Sequence, residues 1–218
     1  MKTLTEKVFS LAPPGGLFNE TVVANLFPDR SKGARELLLD RAIKTGEILR
    51  IKRGLYVLNS EYRKTDPPPF AVAALLYSPS HISLETALGH HGLIPEAVYQ
   101  VASVTTRRRQ IFETPLGVFS YHCVPSQNPM AGVEVIKLEQ SFWAFVATPL
   151  RAVADLLYLN RTITWHKDGP GYLLDSLRIE DNDLREISFD RFDEVVTAFR
   201  SRRVKHFLER LQREYGHA

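Results

Sequence analysis

The side chains best able to do chemistry in this chain are cations that recur between residues 30 and 53. The candidate contact residues in and around this segment are Arg30, Ser31, Lys32, Gly33, Arg35, Glu36, Lys44, Arg50, Lys52, Arg53 and Tyr56. Guanidinium and ammonium groups bind phosphate oxygens, and side chains on the exposed face of a helix can reach base edges. The pattern therefore indicates a surface for double-stranded DNA.

Three local elements must position these side chains. A helix-like run starts at Asn19, a second begins after Ser31 as its N-cap, and Gly46 ends the second run. A hairpin follows, with a tight turn at Arg53-Gly54. This order is typical of a winged helix-turn-helix, in which one helix enters the major groove and the hairpin binds phosphates. We predict this fold for residues 1–65.

The helical period divides the second helix into two faces. The predicted core-facing residues are Ala34, Leu37, Leu38 and Ala42, and the predicted groove-facing residues are Lys32, Gly33, Glu36, Asp40 and Lys44. Lys32 and Glu36 are then the candidates for contact with base edges. Arg35 is expected at the rim, near a phosphate if near any ligand. Arg41 flanks the other edge of the groove-facing side, and this position is equally compatible with an intramolecular ion pair to Glu47.

The charge distribution supports a polyanionic partner for the N-terminal part. Residues 1–65 contain twelve Lys and Arg against seven Asp and Glu, a net charge of +5, whereas the rest of the chain has a net charge of −2. Cys123 is the single cysteine, so no intrachain disulfide is possible. The sequence shows neither the apolar core of a signal peptide nor an apolar run of membrane-spanning length, so we expect a cytoplasmic protein without a membrane partner.

A domain boundary is predicted where Asp66 is followed by Pro67, Pro68 and Pro69, because three prolines interrupt helices and strands. Residues 66–218 are predicted to form a larger α+β domain. Strands are expected at 98–106, 118–124, 133–138 and 141–146, and a helix is expected to begin at Thr148-Pro149. One long amphipathic helix is expected over residues 189–215.

Catalysis and cofactor binding are not expected. Neither His90-His91 nor His122-Cys123 can offer two ligands to one metal ion, because neighbouring residues point about 100° apart on a helix and to opposite faces on a strand. His91 is expected to pack or hydrogen-bond near a helix end. A nuclease is the alternative from another class, but it would need clustered carboxylates to hold Mg²⁺. We find no such cluster and predict no enzyme activity.

The cationic turn formed by Arg107, Arg108 and Arg109 is a candidate functional surface of the larger domain. Two interpretations stay open. The three arginines bind a partner, or they form an ordinary solvated turn.

Several segments resemble the AbiEi family of bacterial antitoxins and transcriptional regulators of type IV toxin-antitoxin systems. They are Lys52-Arg53-Gly54-Leu55-Tyr56-Val57-Leu58, Ser83–Pro95, Val104–Arg109 and Thr148–Leu157, and the similarity extends to about Leu159. The resemblance implies an N-terminal winged helix that represses its own operon at repeated promoter sites. It also implies a C-terminal domain that counters a nucleotidyltransferase toxin without a stable complex. A stand-alone transcription factor is the alternative, and we expect a monomer or a weak dimer.

Overall fold

The computed structural model describes residues 3–95 and 100–216. Its architecture is mixed α+β, as predicted. The chain divides into two compact units. The first contains Met1–Leu76, Phe112–Gly117 and Lys137–Trp143, and the second contains Tyr77–Ile111, Val118–Ile136 and Ala144–Ala218. The predicted boundary between residues 65 and 66 stays a prediction.

The first seventy-six residues form four helices and three short strands within the described part of the chain. In order they are α1 Leu4–Leu11, β1 Leu17–Asn19, α2 Glu20–Leu26, α3 Lys32–Lys44, β2 Ile48–Lys52, β3 Leu55–Leu58 and α4 Pro69–Leu76. Short 3₁₀ turns occur at Pro14–Gly16 and Ser60–Tyr62.

The three strands form one antiparallel sheet in the order β1-β3-β2. Helices α2 and α3 begin as the sequence predicts, because the Asn19 side chain accepts from the Val22 amide at 3.1 Å and the Ser31 hydroxyl accepts from the Ala34 amide at 3.3 Å. Gly46 follows the end of α3 with φ of 76°, a conformation that suits glycine.

A single apolar cluster holds this part of the chain together. Its buried members come from all three N-terminal helices and all three strands: Leu4, Val8, Phe18, Val23, Phe27, Leu39, Ala42, Ile48, Tyr56 and Leu58. Pro67 packs against the turn at Gly15, where an added Cβ would lie 2.6 Å from the Pro67 Cα. The core therefore fixes α3 and the β2–β3 hairpin to one scaffold.

Residues after Leu76 form one six-stranded sheet and six helices within the described part of the chain. One of these helices lies between strands, and the other five follow the last strand. The strands are β4 His81–Ile82, β5 Gln100–Thr105, β6 Gln110–Thr114, β7 Gly117–Cys123, β8 Val133–Lys137 and β9 Trp143–Ala147, in the order β6-β7-β5-β4-β9-β8. The helices are α5 Leu84–His90, α6 Pro149–Leu159, α7 Trp165–Asp168, α8 Asp181–Arg185, α9 Phe192–Ala198 and α10 Arg202–Tyr215. A π-helical turn lies at Tyr172–Ser176 and a 3₁₀ turn at Glu139–Ser141.

The predicted strands are present, with three differences. Residues 98 and 99 of the first lie outside the described residues, the last begins at Trp143 since Ser141 belongs to a 3₁₀ turn, and strands β4 and β6 were not predicted. Strands β5 and β7 pair in parallel, because β6 intervenes in the chain and occupies the outer side of β7. The turn at Arg107–Arg109 therefore leads into β6.

The prediction of one helix over residues 189–215 was wrong. Phe199 adopts an extended conformation, with φ of −102° and ψ of 138°, and Ser201 begins α10 by accepting from the Val204 amide at 3.4 Å. A serine with a free hydroxyl is a good N-cap, and apolar periodicity alone does not reveal such a break. Arg203 is also held in place, since it donates to the carbonyls of Leu157 and Ile163.

A buried polar network centres on Asp155 in α6. Arg151 Nε donates to both carboxylate oxygens at 3.1 Å, and neither side chain has exposed surface. The Ser83 hydroxyl donates to Oδ2 at 2.8 Å, and His81 Nε2 lies 3.3 Å from the same oxygen. Burial raises the pKa of Asp155, but Arg151, His81 and Ser83 together outweigh it and hold that pKa below its ordinary value.

Within residues 3–95 and 100–216, we find no helix with the length and apolar character that crossing a bilayer requires.

Candidate nucleic-acid interface

The exposed face of α3 is wider than the predicted groove face and also includes Leu37 and Arg41. Leu39 and Ala42 are the buried residues of this helix, with 3% and 6% of their surface exposed, and Leu38 packs partly against the same cluster. Leu37, which was predicted to face the core, is 59% exposed. The prediction for Leu37 was wrong, because three successive leucines span about 200° of a helix and cannot all reach one core.

The outward face consists of Leu37 and six other residues. They are Lys32, Gly33, Glu36, Leu37, Asp40, Arg41 and Lys44. All five residues that were predicted to face a groove are among them. Leu37 and Arg41 are the two that the predicted groove face omitted. The run of three leucines was the signal in the sequence that could have identified Leu37.

Lys32 and Glu36 form an exposed i,i+4 ion pair, with Nζ and Oε1 3.9 Å apart. They line a groove beside α2, together with Glu20 and Thr21. The two predicted base-edge residues therefore lie on the flank of the exposed face that adjoins α2. Their side chains remain 77% and 57% exposed, and an exposed pair of this kind is weak enough to separate for a ligand.

Arg50 connects the hairpin to α3. Its Nη2 lies 3.3 Å from Oδ1 of Asp40, and both side chains are about half exposed. The hairpin therefore borders the exposed face of α3. This contact brings two sequence-predicted cations of the hairpin, Arg50 and Arg53, to the neighbourhood of the helix.

The tip of the hairpin presents Arg53 to solvent. Gly54 has φ of 81°, and Lys52 and Leu55 pair across the two-residue turn, so the predicted tight turn is confirmed. A β-bulge lies between Arg50 and Lys52 in β2. Among the described residues the guanidinium of Arg53 has no hydrogen bond or ion pair, so Arg53 is well placed to bind an external anion.

Lys52 does not project from the hairpin as predicted. Its Nζ donates to the carbonyl oxygens of Leu75 and Leu76, at 2.8 and 2.7 Å, where α4 ends. A cation at a helix C-terminus satisfies carbonyls that lack helical partners and interacts favourably with the helix dipole. Partial burial also lowers the pKa of Lys52. These contacts anchor the hairpin to α4 and disfavour the predicted contact of Lys52 with DNA.

Tyr56 is likewise unsuited to a contact with DNA. Only 4% of its surface is exposed, and its ring stacks on Phe18 with centroids 5.7 Å apart. Burial raises the pKa of its hydroxyl. All four residues of β3 are buried, so the aromatic ring of Tyr56 belongs to the core. This burial disfavours the predicted contact of Tyr56 with DNA.

Arg30 and Arg35 are partly occupied within the protein. Arg35 Nη1 donates to the Arg30 carbonyl, and the Arg30 guanidinium lies 5.5 Å from the centre of the Phe27 ring. Both side chains are half-buried, so they support the loop before α3. Arg35 is placed at the rim, as its position near the apolar face indicated.

On α3 and the hairpin, three exposed cations have no ion pair with the described residues: Arg41, Lys44 and Arg53. The alternative ion pair between Arg41 and Glu47 is not formed. Glu47 instead accepts a hydrogen bond from the Thr5 hydroxyl at 2.5 Å. The pairs Lys32–Glu36 and Arg50–Asp40 are neutral, so these three cations give the exposed face and the hairpin tip an excess of positive charge.

The three arginines of the other predicted surface differ from one another. Arg107 donates to the Ser78 carbonyl at 2.9 Å, and its guanidinium lies 4.8 Å from the centre of the Tyr77 ring. Arg108 and Arg109 are exposed, and the Tyr77 hydroxyl donates to the backbone carbonyl of Arg108 at 3.2 Å. Arg107 therefore has a structural role, which leaves two guanidinium groups for a partner.

His90 and His91 lie at the end of α5 with their rings 5.2 Å apart, and His91 Nε2 is 2.9 Å from the carbonyl of Ala147. The expectation that His91 hydrogen-bonds near a helix end is confirmed. Partial burial, with the neighbouring His91, lowers the pKa of His90. In the part of the chain that the structure describes, we find no group of three or more His, Cys, Asp or Glu side chains that could hold a metal ion.

Comparison with known proteins adds no relative at this point. No protein-family model matches the chain, and a search of curated proteins finds no significant match.

Proposed function

We propose that the chain is a DNA-binding transcriptional regulator whose N-terminal part acts as a winged helix-turn-helix. In this proposal α2 and α3 are the helix-turn-helix, α3 is the recognition helix, and the β2–β3 hairpin is the wing. The observation that carries the proposal is the 3.3 Å contact between Arg50 and Asp40, which places the hairpin beside the exposed face of the capped helix. A helix and a cationic ribbon in this arrangement can bind a groove and its flanking phosphates together.

The distribution of cations supports the same proposal. Arg41, Lys44 and Arg53 are exposed and have no acidic partner among the described residues. Phosphate contacts of such residues provide affinity that does not depend on sequence and that weakens as salt increases. Side chains between them on α3 would then provide selection of a base sequence.

The second part of the proposal is an antitoxin role in a type IV toxin-antitoxin system, and it depends on the resemblance of four sequence segments to the AbiEi family. Two of these segments, Ser83–Pro95 and Thr148–Leu157, contact each other, because the Ser83 hydroxyl donates to Asp155. His91 of the first segment also lies within hydrogen-bond distance of the Ala147 carbonyl, one residue before the second segment. These contacts are internal, so they support a common core.

The test is footprinting of the region upstream of the gene with the full chain. We expect protection of discrete, repeated sites that survives an excess of unrelated duplex. Uniform weak binding to all sequences, or no protection at all, would overturn the regulator.

The antitoxin role needs a separate measurement. Co-expression with a nucleotidyltransferase encoded beside the gene should restore growth, and a variant with Arg41, Lys44 and Arg53 changed to Ala should neutralise the toxin while failing to protect the promoter. Growth inhibition that persists with the wild-type chain would contradict this role and leave the stand-alone regulator.

A further inference from the structure

Leu37 lies on the outward face of α3, between Gly33 and Arg41 around the helix axis. About 100° per residue places it within roughly 40° of Gly33 and 20° of Lys44 around the axis. Its 59% exposure is the largest among the exposed large apolar side chains described in the structure. Isolated exposed leucines are common on protein surfaces, so the argument must come from the position of this one.

The core does not require Leu37. Leu39 is buried and Leu38 packs partly against the apolar cluster, which leaves Leu37 on the opposite side of the helix. The six other outward residues of α3 are glycine or charged, so Leu37 is the one apolar side chain on that face within the described helix. A ligand that meets this face therefore meets a single apolar group surrounded by charges.

The surface one turn before Leu37 is open. A Cβ built on Gly33 would meet no atom within 4 Å. Crowding within the protein is therefore not the reason for a glycine at this position. The absence of a side chain there allows another molecule to approach the helix backbone closely. Leu37 lies one turn further along the helix and about 40° around the axis from this open position, so a molecule that approaches the backbone at Gly33 also reaches Leu37.

From these observations we propose that Leu37 contacts the C5-methyl group of a thymine in the major groove and so determines sequence specificity. This inference rests on the proposed DNA-binding function. The major-groove edges of the four base pairs present hydrogen-bonding groups and one apolar group, the thymine methyl. The leucine side chain has no hydrogen-bonding group. It can therefore pack against the thymine methyl, but it leaves the polar edge of a G·C pair without hydrogen bonds.

The neighbouring charges favour this ligand over an apolar protein surface. Arg41 and Lys44 follow Leu37 on the same face, and Arg53 lies on the hairpin that borders it. An apolar protein partner would have to bury these cations without a counter-charge, which is costly. In a duplex the phosphates on both sides of the groove provide that charge.

The test begins with selection of a preferred duplex from unmethylated random-sequence DNA with the full chain. Each thymine in that duplex is then replaced in turn by deoxyuridine, which removes only the methyl group, and the dissociation constant is measured. We expect one replacement to weaken wild-type binding about fourfold, the effect of one buried methyl group. Leu37→Ala should bind the thymine and deoxyuridine duplexes equally at that position, and Leu37→Met should retain part of the discrimination.

The control is Leu11→Ala, which removes a leucine of similar exposure, 54%, from α1. It should keep the full discrimination, and all variants should unfold at the wild-type temperature because neither leucine is in the core. If Leu37→Ala retains wild-type discrimination at every thymine, the inference is wrong and the regulator stands. If selection yields no preferred sequence, the proposed function itself fails.

Discussion

Arg50 of β2 and Asp40 of α3 form an ion pair across the boundary between hairpin and helix, with Nη2 and Oδ1 3.3 Å apart. The pair has two consequences for a DNA-binding surface. It holds the hairpin beside the helix, and it occupies a guanidinium that would otherwise be available for a phosphate. Exposed pairs contribute only about 0.2–1 kcal/mol, so phosphate binding can compete with this one.

We therefore expect Asp40→Asn to strengthen binding to duplexes of any sequence. The substitution removes a negative charge that faces the phosphates and releases Arg50 for a phosphate contact, so the plot of log K against log salt should become steeper by about one unit. Fluorescence anisotropy over a range of salt concentrations measures both quantities. Asp181→Asn on α8 is the control and should leave them unchanged, whereas weaker binding by Asp40→Asn would contradict the expectation.

Arg53 and Lys52 are adjacent, but Arg53→Ala should change DNA binding and Lys52→Ala should change the stability of the fold. Arg53 is exposed at the turn, so its loss should flatten the salt dependence by about one unit without affecting stability. Lys52 donates to the last carbonyls of α4, so its loss should reduce the free energy of unfolding by about 1 kcal/mol and leave the salt dependence unchanged. Denaturant unfolding and anisotropy distinguish the two. A flattened salt dependence in Lys52→Ala would show that this ammonium leaves α4 to bind DNA.

Asp155→Asn should destabilise the protein by about 3–5 kcal/mol near neutral pH, because it leaves the guanidinium of Arg151 buried without a carboxylate. The pKa of Asp155 is lowered in the folded state, so the carboxylate stabilises the protein above the ordinary carboxyl pKa of 3.8. That contribution is lost as pH falls from about 4 through the lower folded value.

Unfolding by urea at a series of pH values measures this effect. Wild-type stability should fall more steeply below about pH 4 than that of Asp155→Asn, which lacks the titrating group. Asp181→Asn breaks an exposed pair with Arg185 and should leave stability nearly unchanged. Parallel pH profiles for the wild type and Asp155→Asn would argue against a lowered pKa of Asp155.

The arginine turn before β6 should divide into a structural and an external part. Arg107→Ala should reduce stability, by about 1 kcal/mol, because it removes the bond to the Ser78 carbonyl and the contact with the Tyr77 ring. Arg108→Ala and Arg109→Ala should leave thermal unfolding and promoter protection unchanged. Loss of toxin neutralisation in these two variants would identify a partner surface, and full neutralisation would identify a solvated turn.

The sequence predicts the N-terminal elements well because their ends carry specific chemistry. Asn19 and Ser31 supply capping oxygens, and Gly46 and Gly54 adopt backbone conformations that suit glycine. Such signals are local, so they can be recognised without knowledge of the tertiary structure.

Side-chain direction was harder to predict, because it depends on packing between distant elements. Leu37 was predicted to face the core but is exposed, whereas Lys52 and Tyr56 were predicted to contact DNA but bond or pack within the protein. The positions of Lys52 and Tyr56 depend on contacts with other elements. The direction of Leu37 depends on which of three adjacent leucines reach the core. The network of His81, Ser83 and Asp155 joins residues more than seventy positions apart. No spacing rule relates such positions, so that network could not be inferred from one sequence.

The attachment of Lys52 to the final turn of α4 has a kinetic meaning for the hairpin. A strand pair held beside its turn by two charged hydrogen bonds has already lost much of its conformational entropy during folding. Rigid docking then requires less ordering at the moment of encounter, which favours tighter complexes for the same set of contacts. By this reasoning an ammonium that is bonded within the protein would still influence how long the complex lasts.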